Sequence, residues 1–463
     1  MTALHCRHAL LIFYLKAGVV LEGATTFNNS QGDGDLDNLL NWSMGLPTLL
    51  NPGTISGTLS TTYGGTGQVL NSADLTLALD AQMSDGNSGN ETRITDSIIR
   101  ITGNSEWQAN ARVWLGRGNG SESSTEIFIQ DNARWIINGE NDLRIGRRQI
   151  ANVNQSGGTV NVGNNVVIGA NSGGAGSSYN LSGGTLITLQ DVQVRRSSNL
   201  NISETDPINA PTSANITRNL NLRDDGSQIT ISGGQVNVGQ NIVISSDNLN
   251  ITQNGGTVSV TNNIQLNNGI GREYRLQGGR LEVANRIVVN DDNIFVWETG
   301  GVLAVSSGQN FIDYRGSLNA GNGAVLDLDS NTQYLDVGGT LNINGLTIDG
   351  YDLMLALQQE GEGGNTVTGS YLLIETNSFN SAQIDNITPI FSDSIGDLID
   401  RDDTYNDQTD TVYWINDDGN NNIRLYYSIA PIPEPSSSLL VAVGVTMLAL
   451  RRRRQHRAYY HQE

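Results

Sequence analysis

The chain has 463 residues, 47 of them acidic and 26 basic, for a formal charge of −21. That balance excludes nucleic acid and anionic lipid surfaces as partners for most of its length. Its one cysteine (Cys6), one lysine (Lys16) and four histidines (His5, His8, His456, His461) lie near the ends, so residues 25–430 hold no disulfide, thiol nucleophile, lysine chemistry or His-based zinc site.

Residues 1–24 read as a secretory signal peptide. Arg7 precedes an apolar run at 9–15, a second run follows at 17–21, and small residues Gly23-Ala24 supply a cleavage site. Lys16 and Glu22 interrupt that pattern, and a buried strand with a loop is the competing reading. Residues 25–90 are expected to form an N-terminal cap and irregular first turns. Asp33, Asp35 and Asp37 alternate there as in the opening of a calcium loop. Position 12 of such a loop falls on Met44, so no EF-hand is complete, and a solvated acidic turn explains the same residues.

From 91 to 150 short apolar runs follow one another, among them Ile98-Ile99-Arg100-Ile101 and Ala133-Arg134-Trp135-Ile136-Ile137. Leu115-Gly116, Ile145-Gly146 and Ile168-Gly169 suggest a recurring corner. The flat rings of Trp107, Trp114 and Trp135 suit stacking on sugar rings, and suit core or cap gaps at least as well.

Then one phrase keeps returning: two glycines, a β-rich run, a polar break, a second β run. It reads Ser156-Gly157-Gly158-Thr159-Val160-Asn161-Val162 and then Asn165-Val166-Val167-Ile168. Copies start at Gly183, Gly233, Gly255, Gly278 and Gly300, with a more distant echo at Gly338, so the successive steps are 26, 50, 22, 23, 22 and 38. The long step from Gly183 to Gly233 implies a degenerate copy near 216–220. Apolar residues alternate within each unit, which marks strands. A period of 22–26 marks stacked units that cannot bury their own apolar faces, and is too short for a propeller blade of about 40 residues. The expected fold is therefore all-β, a parallel, right-handed β-helix or solenoid over 91–349. Hairpins of an antiparallel sandwich, turning at Gly-Gly, are the alternative. Gly-Gly supplies backbone freedom at corners. Asn165, Asn241, Asn263 and Asn285 precede the second run. Asparagine both tolerates left-handed backbone and forms amide ladders along a stack.

Residues 350–430 change character. Longer strand patterns and an acidic stretch at 393–410 precede Val412-Tyr413-Trp414-Ile415-Asn416 and Ile423-Arg424-Leu425-Tyr426-Tyr427, joined by the turn signal Asp417-Asp418-Gly419-Asn420-Asn421. A small antiparallel cap is expected there. Residues 431–463 then run Pro433-Glu434-Pro435, an apolar segment at 439–450, and Arg451, Arg452, Arg453 and Arg454. The apolar segment is short for a spanning helix of about 20 residues. The arginines mark a cytoplasmic stop, and make burial of that helix in a core unfavourable.

This tail resembles the PEP-CTERM sorting signal of Gram-negative bacteria, on Pro433, Glu434, Pro435, the apolar run and the four arginines. The resemblance is confined to positions 431–463. It implies processing by an exosortase near Pro433-Glu434-Pro435, transient anchoring in the inner membrane by a C-terminal hydrophobic helix, and delivery to the cell surface or an extracellular polysaccharide matrix. The Gly-Gly-Thr-Val units more loosely resemble autotransporter passenger repeats. The resulting expectation is a non-catalytic structural or adhesive solenoid without a cofactor, calcium at Asp33, Asp35 and Asp37 being the one metal candidate. About 10 to 13 turns at 4.8 Å would make a rod roughly 50–60 Å long. The rivals are a polysaccharide lyase or glycoside hydrolase using carboxylates such as Asp224-Asp225 or Asp291-Asp292, and a carbohydrate-binding module using the tryptophans.

Overall fold

The computed structural model describes residues 91–117, 124–349 (apart from positions 209, 267–268, 291, 299, 307, 329 and 331), 367–390 and 412–429, together with short strand segments at 25–85 and 397–398. The described part of the chain is nearly all β and winds as a parallel solenoid of about 11 turns. Each turn contributes one strand to each of three faces. In one turn, Gln228–Val238 supplies residues 228–231 to the first face and 235–238 to the second, and Ile242–Ile244 supplies the third. The next turn repeats this with Asn250–Val260 and Asn263–Leu266, in the parallel register Ile229↔Ile251, Val236↔Val258 and Ile242↔Ile264.

The alternation in the sequence is thus the alternation of inside and outside. On the third face Val113, Leu143, Val166, Val192, Leu220, Ile242 and Ile264 stack turn upon turn, all with zero exposure. No single turn could bury these side chains; each is covered by its copies above and below. Wider residues fill the coil towards its ends. Trp107 and Trp135 stack at 5.2 Å on the second face, and Tyr274, Phe295 and Tyr314 form an aromatic group nearer the C-terminus.

Among the polar residues at inward positions are two glutamines in matching surroundings. Gln155 and Gln253 are buried on the first face and accept hydrogen bonds from the hydroxyls of Tyr179 (2.6 Å) and Tyr274 (2.8 Å) in the following turn. Each glutamine also donates from Nε2 to the corner carbonyl of Gly158 or Gly256, and to that of Thr185 or Arg280 one turn on. The same module therefore occurs twice, and it ties the core to the Gly-Gly corner. Burial pushes the phenols of Tyr179 and Tyr274 well above their usual range.

The degenerate copy lies within the long step between Gly183 and Gly233, slightly earlier than expected. Asn199–Ile202, Thr212–Ile216 and Leu220–Leu222 complete a full turn, and residues 203–211 replace its Gly-Gly corner. The echo at Gly338-Gly339 is a different object. Tyr334–Ile343 gives its first half to the third face and its second half to the first face. These glycines sit at the third-to-first corner, one corner away from the repeats they resemble, because the chain bends wherever two side-chain-free residues fall between paired strands.

At the C-terminal end Val367–Phe379 pairs in parallel with Tyr334–Ile343 and antiparallel with Asn422–Ile429, which pairs antiparallel with Val412–Asp417. The hairpin expected at 412–427 is therefore present. Segments between 25 and 85 pair in parallel with the turns that follow, as in Gly53–Ser56 with Asp74–Ala78.

Candidate functional site

The described surface offers two features built from repeated side chains: a polar spine along one corner and an arginine cluster on the third face.

The spine runs up the corner between the second and third faces. Asn219 Nδ2 donates to Asp191 Oδ1 (3.0 Å), Asn241 to Asn219 (3.0 Å), Asn263 to Asn241 (3.1 Å) and Asn285 to Asn263 (3.0 Å). Below, Asn165 donates to Asp142 Oδ1 (3.0 Å), and Asn165 Oδ1 accepts from the Asp191 backbone N–H (3.2 Å). Each Oδ1 of Asn219 and Asn241 also takes the backbone N–H of the next asparagine. A carboxamide has both donor and acceptor, so a stack of copies satisfies itself. The expectation of an amide ladder is borne out at Asn241, Asn263 and Asn285, while Asn165 lies between Asp142 and Asp191. The left-handed role is not borne out, since none of the four has positive φ. Asp142, Asp191 and Asn219 belong to the same spine. Sequence reading passed them over because two are acids and the third lies in the degenerate copy. Shorter ladders line the faces, such as Asn154–Asn180–Asn201 at 2.8 Å per step.

The arginine cluster centres on Trp114. This residue lies between two inward neighbours and projects outward on the third face, in register with Arg93 of the turn below and Arg144 of the turn above. The guanidinium carbons of Arg147, Arg144 and Arg117 lie 4.2, 4.7 and 5.5 Å from its ring centre. They leave the residue 4% exposed. Glu91 pairs with Arg93 at 3.0 Å and with Arg117; Asp142 pairs with Arg144 at 2.7 Å and with Arg112 at 3.4 Å. Sequence reading missed this site, although Arg144, Arg147 and Arg148 form a visible basic run in an acidic chain.

The three tryptophans thus divide. Trp107 and Trp135 are core residues, and Trp114 is roofed by arginines, so none presents a bare ring to a sugar. Asp224 takes left-handed backbone at a corner (φ 61°) and faces Arg196 at 3.9 Å, while the Asp225 carbonyl accepts from the Ser197 amide; both behave as turn residues. The Asp292 carbonyl likewise accepts from the Gly271 amide at a corner, and Asp291 is outside the described residues. Among the described residues no cluster of three or more His, Cys, Asp or Glu side chains is arranged to hold a metal, and no helix is long and apolar enough to cross a membrane. Asp33, Asp35, Asp37, Pro433, Glu434, Pro435, Arg451, Arg452, Arg453 and Arg454 lie outside the described residues. No family model, curated protein or solved structure matches the chain.

Proposed function

We propose that this chain is an exported, surface-displayed rod with a structural or adhesive role in an extracellular polysaccharide matrix, and that it is not an enzyme. The observation that carries the reading is the uninterrupted stack. Turn after turn repeats the same three strands, the same dry interior and the same self-satisfying asparagine spine. Such a coil is stiff, needs no disulfide and exposes a hydrated acidic outside. The acid pairs open to a hydrolase or lyase reading sit in tight turns, and nothing in their geometry favours catalysis.

The same reading includes the finer features of the fold. The coil is right-handed, and the antiparallel strands at 412–429 close its last parallel edge against unwanted pairing. The apolar run at 439–450 is a helix that anchors the precursor until an exosortase acts near Pro433-Glu434-Pro435. Support comes from the order of the three tail elements and from the acidic, cysteine-free body. The test is mass spectrometry of the protein from surface and secreted fractions of its native host. Termini near Ala24 and Pro433 are expected. An intact chain in the cytoplasm, with Arg451, Arg452, Arg453 and Arg454 still attached, would sink the proposal.

A further inference from the structure

Six arginines crowd one patch of a chain that carries 47 acidic side chains. Arg93, Arg112, Arg117, Arg144, Arg147 and Arg148 lie on three consecutive turns around Trp114; Glu91 pairs with Arg93 and Arg117, and Asp142 with Arg112 and Arg144. Arg147 makes no ion pair among the described residues. Burial lowers its pKa, and Arg148, Arg93, Arg144 and Arg112 lower it further. Buried polar atoms here also lack partners: Trp114 Nε1, and both Nε and Nη1 of Arg147. All three are N–H donors. A buried donor without an acceptor carries an unrecovered desolvation cost. Donors of one sign converging on one place ask for an anion. The indole does not offer its face to a sugar. It holds the guanidinium of Arg147 at 4.2 Å and that of Arg144 at 4.7 Å by cation–π contact, and so fixes their direction.

We propose that this patch is an oxyanion site whose ligand is a carboxylate-bearing polysaccharide of the polyuronate type. Guanidinium forks match planar carboxylates in bidentate fashion. The turns are spaced about 4.8 Å apart, so the cluster meets successive charged groups along a chain ligand. The acidic remainder of the molecule repels nucleic acid, which carries about one charge per 1.7 Å of duplex, more strongly than a polyuronate, which carries one carboxylate per sugar. The choice of a polysaccharide rests on the extracellular reading above; the oxyanion site itself does not.

The experiment is calorimetric titration of the full chain with oligogalacturonate, with a neutral glucan oligomer, dextran sulfate, a DNA oligonucleotide and sodium sulfate as comparison ligands. Oligogalacturonate is expected to bind, the neutral oligomer not to bind, and added salt to weaken the complex. Arg147→Gln should lower affinity about tenfold or more, the scale of one charge-assisted contact. Arg218→Gln, at the second-to-third corner four turns further along the coil, should leave binding unchanged. Among the described residues Arg147 has no ion pair to lose, and it stands among like charges, so its variant should melt close to the parent. If it fails to fold, a rise in the melting temperature of the parent chain with oligogalacturonate, abolished by salt, supports the site in its place, and no rise overturns it. Absence of oligogalacturonate binding, equal binding by the Arg147 variant, or stronger binding to dextran sulfate or DNA would overturn the assignment. Response to sulfate alone would mean an adventitious ion only, and would overturn it too. A chain that binds oligogalacturonate but stays intact in the cytoplasm would remove the surface role and keep the site. A correctly processed surface protein that ignores oligogalacturonate would remove the site alone.

Discussion

At the corner between the first and second faces the chain turns on residues without side chains. At the next corner it turns beneath a side chain that reaches the turn above. Gly158, Gly184, Gly234, Gly256 and Gly279 all take left-handed backbone, with φ from 63° to 78°. A Cβ on Gly256 would lie 2.4 Å from the Gly234 carbonyl oxygen and 2.7 Å from the Gly233 carbonyl carbon. Here neighbouring turns approach backbone to backbone. At the asparagine corner the backbones also bond directly, Gln240 N–H to the Arg218 carbonyl at 2.8 Å and Asn262 N–H to the Gln240 carbonyl at 3.0 Å, and the carboxamide adds a side-chain connection between the same turns. One corner is specified by what is missing and the other by what is present, and the two should fail differently.

The largest effect is expected at the glycine corner. Gly256→Ala should destabilise its turn by roughly 3 kcal/mol, the upper part of the usual range, because strain and a clash with immovable backbone coincide. Hydrogen exchange at 250–260 would read this locally, which matters because stacked turns need not unfold as one unit. Gly300→Ala sharpens the comparison. Gly300 also has positive φ (81°), but nothing lies within 4 Å of its Cβ position, so about 1 kcal/mol of backbone strain should remain alone. Equal losses at the two sites would mean that φ, and not the close approach, sets the requirement.

Asn241→Ala comes next. It removes the bond to Asn219 and the acceptor used by Asn263, for an expected loss of about 2 kcal/mol. Asn241→Asp keeps that acceptor, as Asp191 does for Asn219, and should cost about half as much. If both variants match the parent in chemical denaturation, the spine contributes nothing to stability.

Tyr274→Phe probes the core module and should cost about 1 kcal/mol by leaving Gln253 Oε1 without a donor. The buried phenols add a pH dependence. Folded pKa values raised above the ordinary value near 10 contribute stability that is present below about pH 10 and lost as pH climbs further. Ultraviolet titration should show Tyr179 and Tyr274 ionising only as the coil unfolds.

The smallest effect is expected in the hairpin. Hydrogen bonds from Asn422, the Asn420 amide and Arg424 hold the Asp418 carboxyl down to about 2. A depressed carboxylate supports its fold above about pH 4, its unfolded range, and the support drains away as pH falls through about 2. Amide exchange at 412–429 should rise over that window before the main coil responds.

Much of the coil was legible because its signals are local and repeated. The Gly-Gly period, the alternation of Val160 and Val162, and the glycines at 116, 146 and 169 each mark a corner or a strand without reference to the rest of the chain; those three glycines have φ of 67°, 73° and 70°. Local signals also misled. Gly338-Gly339 has the right letters at the wrong corner, since two glycines permit a bend but do not say which strands flank it. The arginine cluster was hidden because Arg93, Trp114 and Arg144 are far apart in sequence and become neighbours only by stacking.

By itself, then, the amino-acid order determined an all-β stacked repeat, its inward side chains and an Asn ladder, because each follows from periodicity and the chemistry of single residues. Tertiary structure alone decided which turn lies over which. It placed Gln253 beneath Tyr274, turned Trp114 outward between two arginines and drew Asp142 and Asp191 into an asparagine spine. These are contacts between turns of unequal length, and how each corner packs on the one below sets which side chains meet.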